Sequence, residues 1–468
     1  MNTPTGQPVN QTSYDLEACE IGVVHLGYGA FHRAHQAQYI DDYMDITGDL
    51  RWGIAAVNLR GAEAESFAEH QTGGYLLKSM APGGETDLRR VRSHIHFSDW
   101  TRDAQSAESL LALASVHMVT ITVTEGGYYT DNASNLNAAH PVIAAELAGG
   151  QPTSVYGYLM AALSVRMHTS PAPLTICCCD NIRQNGKMLR RNLAAYLALA
   201  QRDDLAEWVK QNVRFPCSMV DRITPRPTQA LARELHLLTG QNVVQPVMAE
   251  AFVQWVLEDN FAGPMPDLAK AGVTVTRDVD PYEETKIRVL NGGHTCLTYL
   301  AALHGIDTFD AAMRMPELSE HFSQYEELEV LPALTLELPF SKQEYLGSIT
   351  ERFGNRSIAD TVARICADGW AKFPIFIRPT LEGCLQQGKM PLYGIKSIAS
   401  WHCFCQHAAA GRIGFDYAEP GWAQLSPLIG TDDFVMSRQL WGDLPTTYPE
   451  FADAMRSAIK EMEQTWPV

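Results

Sequence analysis

Apolar residues fall into two rhythms along the chain. Up to about residue 280, short runs rich in β-branched residues alternate with stretches at helical spacing; beyond it the strand signal fades and helical spacing dominates. Residues 21–26 make the first apolar run, followed by Gly27-Tyr28-Gly29 and a helical pattern through Tyr39, Ile40 and Tyr43. A second strand at 52–57 completes the spacing of a βαβ unit. Further strand-like stretches lie at 116–123, 174–179, 247–257 and 273–276, with helical ones at 155–167, 188–199 and 205–213. The stretch 218–225 reads as a strand or loop punctuated by Pro225. Residues 1–18 are polar and poor in periodicity and are expected to form a loose arm. These rhythms place a domain boundary near 280, giving units 1–280 and 281–468.

The helix that opens the second unit breaks its own pattern. Asp280 suits an N-cap, Pro281 the first helical position, and Glu283 a capping-box carboxylate. At about 100° per residue one face collects Ile287, Leu290 and Leu297, and the opposite face Glu284, Arg288, Gly292 and Thr295. The first face should be buried. Yet Lys286, Asn291 and His294 project within roughly 140° of one another on that side, with Glu283 between them. Such groups are costly inside unless something there needs them. Gly292 and Gly293 each cost about 1 kcal/mol relative to alanine, which suggests close approach by another backbone or a ligand.

Composition narrows the class. The chain of 468 residues is 46% hydrophobic and 19% charged, as expected of a folded protein with ample core. A formal net charge of -18 argues against a nucleic-acid backbone or an anionic membrane as the main partner. With no charged-then-apolar leader and no apolar run near 18 residues, neither export nor membrane insertion is expected, and the expected location is the cytoplasm. Ten cysteines include Cys177-Cys178-Cys179; neighbours in a strand point to opposite faces, so these read as small buried thiols.

Several positions carry candidate chemistry. Strand, glycine turn and helix at 21–43 is the context in which a backbone approaches a pyrophosphate, although His32 stands where the dinucleotide fingerprint has its third glycine. No carboxylate ends the second strand; Arg60 follows it, with Glu63 a little later, which leaves NAD and NADP both open. Glu125 follows another strand in a glycine-rich loop and is either a satisfied loop carboxylate or a ligand contact. Asn181 is a turn residue or an amide aimed at a substrate oxygen. Asp221 beside Arg222 reads first as a local ion pair, and Arg364 and Lys372, taken alone, as surface charges. Ser357 with Asp360 suggests a capping box for a helix ending at Asp368-Gly369. The cluster Trp401-His402-Cys403-Phe404-Cys405-Gln406-His407 is spaced too tightly for a zinc hook and reads as a core helix. The motifs of serine hydrolases, Walker-type nucleotidases and zinc proteases are absent from the sequence.

Taken together, the segment from Gly27 to His35, Thr124-Glu125-Gly126-Gly127-Tyr128, Cys179-Asp180-Asn181, Met219-Val220-Asp221-Arg222-Ile223-Thr224-Pro225 and the Lys286, Asn291, His294 helix resemble the polyol-specific long-chain dehydrogenases. That family includes mannitol 2-dehydrogenases, D-arabinitol 4-dehydrogenases, and the fructuronate and tagaturonate reductases. The resemblance covers nearly the whole chain. It implies an α/β fold with a Rossmann-type N-terminal domain, a mostly α-helical C-terminal domain, a site in the cleft between them, NAD as cofactor with NADP open, no metal, and a monomer. It further implies that Lys286 is the catalytic base, that Asn181 and Asn291 surround the reacting oxygen, and that Glu283 passes the proton. His294, Asp221, Arg364 and Lys372 would line the substrate pocket, and Gly27, Gly29, Phe31, Arg33, Arg60, Glu63 and Glu125 the cofactor side.

The expected reaction is reversible oxidation of a secondary alcohol of an acyclic polyol, D-mannitol to D-fructose or D-arabinitol to D-xylulose. A lysine base must be neutral; free lysine titrates near about 10.4 and burial lowers that by several units. The rival substrate is a hexuronate ketose. The rival class is a dinucleotide-binding sensor without turnover, which would have no use for the inward polar groups.

Overall fold

The computed structural model describes residues 6–59, 73–131, 133–243 and 245–467. It divides into two compact units, one of Met1–Ala81 with Glu85–Asp280, the other of Pro281–Val468 with the turn Pro82–Gly84.

The first unit is built on a six-stranded sheet. Its strands are β1 (Ile21–Leu26), β2 (Gly53–Asn58), β3 (His94–Asp99), β4 (Met118–Ile121), β5 (Leu174–Cys178) and β6 (Val213–Arg214), all parallel. The spatial order is β3-β2-β1-β4-β5-β6. This is the doubly wound Rossmann arrangement, with its switch of direction between β1 and β4. Every residue of β2 and β5 is buried, which is why these strands read as continuous apolar runs rather than alternating ones. Helices Val155–Thr169 and Asn185–Leu199 cover one face, and Gln36–Thr47 the other. The tri-cysteine run is buried at the end of β5, and all ten cysteines are free thiols. The predicted stretch at 247–257 divides into two strands, Val247–Glu250 and Gln254–Glu258, which belong to different sheets.

The N-terminal segment departs from the loose arm expected. Asn10–Gln11 pairs parallel with Thr86–Val91 at the edge of a second, four-stranded sheet. Tyr14 donates to Asp41 at 2.5 Å, and the Arg92 guanidinium lies 4.7 Å over the Tyr14 ring. Polarity misled here because these bonds go to residues far along the chain, which a local reading of periodicity does not see.

The second unit is helical, with Thr308 and Thr361 forming an isolated bridge. Its core gathers on helices Gly292–Leu303 and Leu392–Ala409. Trp401, Cys403, Phe404 and Cys405 are fully buried there, and Trp401 stacks on Phe373 at 4.2 Å, so the aromatic and cysteine cluster is a core helix as read. The capping box expected at Ser357 and Asp360 is not formed. Thr361 caps the short helix Val362–Cys366 instead, Asp360 pairs with Arg364, and a separate helix, Gly369–Lys372, follows. Among the described residues no helix is long and apolar enough to cross a membrane.

Candidate active site

In the first unit, candidate groups collect at the carboxyl ends of β1, β4 and β5, where open α/β sheets bind ligands. Gly27 has φ of 100°, and a Cβ there would stand 2.2 Å from the Thr122 carbonyl oxygen, so only glycine fits this turn. Gly29 precedes the helical turn Ala30–Ala34, and space is open where its side chain would be. A tight first glycine and an unobstructed second one fit the approach of a pyrophosphate to backbone amides.

The third position keeps helix and strand close by other means. The His32 ring lies flat on His25 of β1, with centroids 3.2 Å apart and planes within 8°, and its Nε2 is 3.0 Å from Nε2 of His94 on β3. Burial drives His25 down to about 3 and His32 also well down, so the stack is neutral. The helix expected through Tyr43 is interrupted at His35, whose Nε2 meets the Gln254 carbonyl at 2.8 Å.

Phe31 stacks on His35 at 5.0 Å. Arg33 is buried; it donates to the Gln245 carbonyl at 2.8 Å and lies over the rings of Tyr28 and Tyr75, contacts that hold the fold together. Glu125 is exposed at the start of the turn Glu125–Tyr128. Arg60 and Glu63 lie outside the described residues. Asn181 is exposed, three residues beyond the end of β5.

Asp221 ends the strand Ser218–Asp221 and is buried. Its expected local pairing with Arg222 gives way to tertiary bonds: the Arg222 guanidinium donates to the Glu250 carbonyl at 2.9 Å, to Ser79 Oγ at 2.8 Å, to Gln38 Oε1 at 2.6 Å and to the Ala34 carbonyl. Consecutive strand residues point to opposite faces, which separates the two side chains.

In the second unit the opening helix, Asp280–Thr285, runs directly into a π-helical turn, Lys286–Asn291, and then into the α-helix Gly292–Leu303. The Gly292 amide donates back to the Ile287 carbonyl, five residues earlier. This alters the angular reading. In an α-helix Lys286 and Asn291 would project about 140° apart, whereas closure between residues five apart brings them close to one above the other. The turn packs against two further π turns, Glu326–Val330 and Phe373–Ile377. Single π turns inside helices gather at functional sites.

Lys286 and Glu283 are buried, and Asn291 and His294 half-buried. The face expected opposite the core is buried as well. Arg288 is 4% exposed, donating to Thr380 Oγ1 at 2.8 Å and to Glu284 Oε1 at 3.2 Å, and Gly292 and Thr295 are also inside. Two of its three nitrogens are thus paired, while Nη2 is buried without a hydrogen-bond partner among the described residues. The glycine pair admits neighbours: a Cβ on Gly293 would meet the Phe322 ring at 2.8 Å and Glu326 Oε1 at 2.9 Å, and one on Gly292 the Phe376 carbonyl at 3.2 Å.

His294 stacks on Phe353 at 4.0 Å and meets Phe309 edge-on at 4.7 Å. Burial, reinforced by the charges of Arg364, Arg352 and Lys372, holds its imidazole well below the ordinary range and therefore neutral. Arg364 pairs with Asp360, donating through Nε at 2.6 Å. Lys372 donates to the Ile365 carbonyl at 2.8 Å, and desolvation lowers its pKa. Arg352, buried at the end of the helix Lys342–Phe353, escaped the sequence reading, since an arginine in a last helical turn looks like an ordinary dipole partner. Asp180 escaped too, hidden beside Asn181. Among the described residues no group of three or more histidine, cysteine or acidic side chains is arranged to hold a metal.

Comparison with known proteins accounts for both units. The profile described as "Mannitol dehydrogenase Rossmann domain" matches residues 21–270, and "Mannitol dehydrogenase C-terminal domain" matches residues 278–462. The chain belongs to the mannitol dehydrogenase family. Among its relatives, D-arabinitol 4-dehydrogenase of Ralstonia nicotianae is 37% identical over 90% of this chain and 92% of its own length. Mannitol 2-dehydrogenase of Cereibacter sphaeroides is 36% identical over 97% of each chain. The solved structure of Pseudomonas fluorescens mannitol 2-dehydrogenase in ternary complex with NAD and D-mannitol is 32% identical, with a TM-score of 0.87 over 98% of this chain and 94% of that one. The family therefore supports the Rossmann reading of a glycine turn whose third position is histidine. As a family member the chain is an oxidoreductase, which removes the sensor without turnover.

Proposed function

We propose that this mannitol dehydrogenase family member reversibly oxidises a secondary alcohol of an acyclic polyol to a ketose, with NAD as hydride acceptor and D-mannitol and D-arabinitol as substrates. The observation that carries the reading is the π turn that begins at buried Lys286 and ends at Asn291, just ahead of a neutral His294. Gly27, Gly29, Phe31 and Glu125 would hold NAD, which would supply the acceptor for the hydride of the carbinol carbon. Lys286, neutral, accepts the hydroxyl proton and passes it on through Glu283. Asn181 and Asn291 donate amide hydrogens to the oxygen as it gains alkoxide character. His294, Asp221, Arg364 and Lys372 take the remaining hydroxyls; an imidazole kept neutral both donates and accepts, which suits a hydroxyl.

One feature favours a hexuronate ketose instead, because the three cations around His294 would suit a carboxylate. Against it, Arg364 is already balanced by Asp360. A substrate panel separates the two: mannitol and arabinitol should reduce NAD, and fructuronate should not oxidise NADH. For the mechanism, Lys286→Ala should lower kcat by about three orders of magnitude or more while the affinity for NAD stays within about twofold. A variant that turns over normally would remove Lys286 as the base.

A further inference from the structure

The stretch beyond β5 gives Asn181 to the reaction proposed above and leaves its neighbour, Asp180, without a role. Asp180 turns its carboxyl away from solvent and collects three donors. Oδ2 accepts from the Val123 amide at 2.9 Å and from the Tyr128 hydroxyl at 2.7 Å, and Oδ1 from the Thr124 amide at 3.2 Å. All three donors belong to the loop that follows β4. On the other side, the Asp180 carbonyl accepts from Asn185 Nδ2 at 3.1 Å, and that amide also reaches the Ser218 carbonyl at 2.9 Å. One residue thus ties the end of β4 to the end of β5.

What it ties down is strained. Thr124 has φ of 64° and ψ of 160°, a region otherwise left to glycine, which costs of order 1–3 kcal/mol and persists only where surrounding bonds over-determine it. Two of the three bonds to Asp180 come from Thr124 itself and the residue before it. The strained residue leads directly into the exposed Glu125. The loop would therefore relax away from β5 without the acceptor that holds it.

We propose that Asp180 is a positioning residue: its carboxylate clamps the strained loop after β4 to the end of β5, and so fixes the Asn181 amide where it meets the reacting oxygen. The proposal rests on the reaction assigned above. Asp180 touches neither substrate nor cofactor and acts through Asn181.

A double-mutant cycle tests it on the full-length enzyme, with D-mannitol and NAD as the probes. Asp180→Asn keeps the shape but sets an amide NH2 against an N–H or O–H donor. It should lower kcat about tenfold or more, with KM for mannitol and for NAD within about threefold. Tyr128→Phe, which removes one donor of the three, should fall between this variant and wild type, and it carries the test if Asp180→Asn does not fold. In an Asn181→Ala background either substitution should change kcat by less than about twofold, because the group they position is gone. Wild-type kcat in both clamp variants, or effects that multiply with that of Asn181→Ala, overturns the positioning role alone. Wild-type turnover by Asn181→Ala overturns the role of Asn181 and this proposal with it.

Discussion

Gly293→Ala tests whether the glycine pair exists for packing. The backbone there is helical and alanine is conformationally welcome, worth about 1 kcal/mol over glycine in a helix. The new methyl, however, would sit 2.8 Å from Phe322 Cε2, 2.9 Å from Glu326 Oε1 and 3.4 Å from Phe353 Cε2. Ordinary carbon contacts are about 3.5–4.0 Å, so roughly 0.7 Å must open between elements whose facing side chains are buried. Overpacking of this kind costs about 1–3 kcal/mol, leaving a net loss of about 0–2 kcal/mol after the helical gain. Gly347→Ala is the internal control. It lies on the exposed side of the helix Lys342–Phe353 with open space at its Cβ, and should simply gain about 1 kcal/mol. Urea unfolding of both variants isolates the packing cost as their difference, expected at about 1–3 kcal/mol. Because Phe353 is the surface on which His294 stacks, Gly293→Ala should also raise KM for the polyol while Gly347→Ala leaves it unchanged. If Gly293→Ala gains as much stability as Gly347→Ala, the close-approach explanation is wrong.

Two further predictions concern backbone strain and pH. Thr124→Gly relieves a positive φ and should raise stability by about 1 kcal/mol, read as a higher thermal midpoint; an unchanged or lower midpoint would count against strain at this turn. His402 is buried, accepts from the Gly430 amide at 2.9 Å, and is pushed down to about 4 by desolvation from an ordinary 6.5. The unfolded chain takes up this proton before the folded one does. The stabilisation is therefore complete above pH 6.5 and is lost as the pH falls toward 4, by up to about 1.4 kcal/mol per unit. Denaturation midpoints followed across that window should show a slope smaller by about one proton in His402→Gln, and an identical slope would refute the assignment.

What could be read from the sequence alone follows from how far each cause reaches. The strands β1, β2, β4 and β5 and the glycine turn at Gly27 were legible because burial on both faces and a positive φ leave their marks on adjacent residues, whereas β3 and the strand Thr86–Val91, only partly buried, went unread. Lys286, Asn291 and His294 announced themselves as polar groups at apolar spacing, although the geometry assumed for them was that of an α-helix. The π turn itself left no local signature. It packs against the turns at 326–330 and 373–377, and it changes the angle at which Lys286 and Asn291 project. The buried charges went unread for a related reason: Arg33 bonds to Gln245, Arg222 to Glu250 and Ser79, and Arg288 to Thr380, each partner far away in sequence. Asp180 drew no reading of its own, because its donors come from a loop more than fifty residues earlier. The sequence by itself determined the alternation of strands and helices up to about 280, the helical character beyond it, and the inward turn of Lys286. The tertiary structure decided how that side chain is aimed and which charges are spent on holding the fold, because a buried charge is stable only beside partners that folding brings to it.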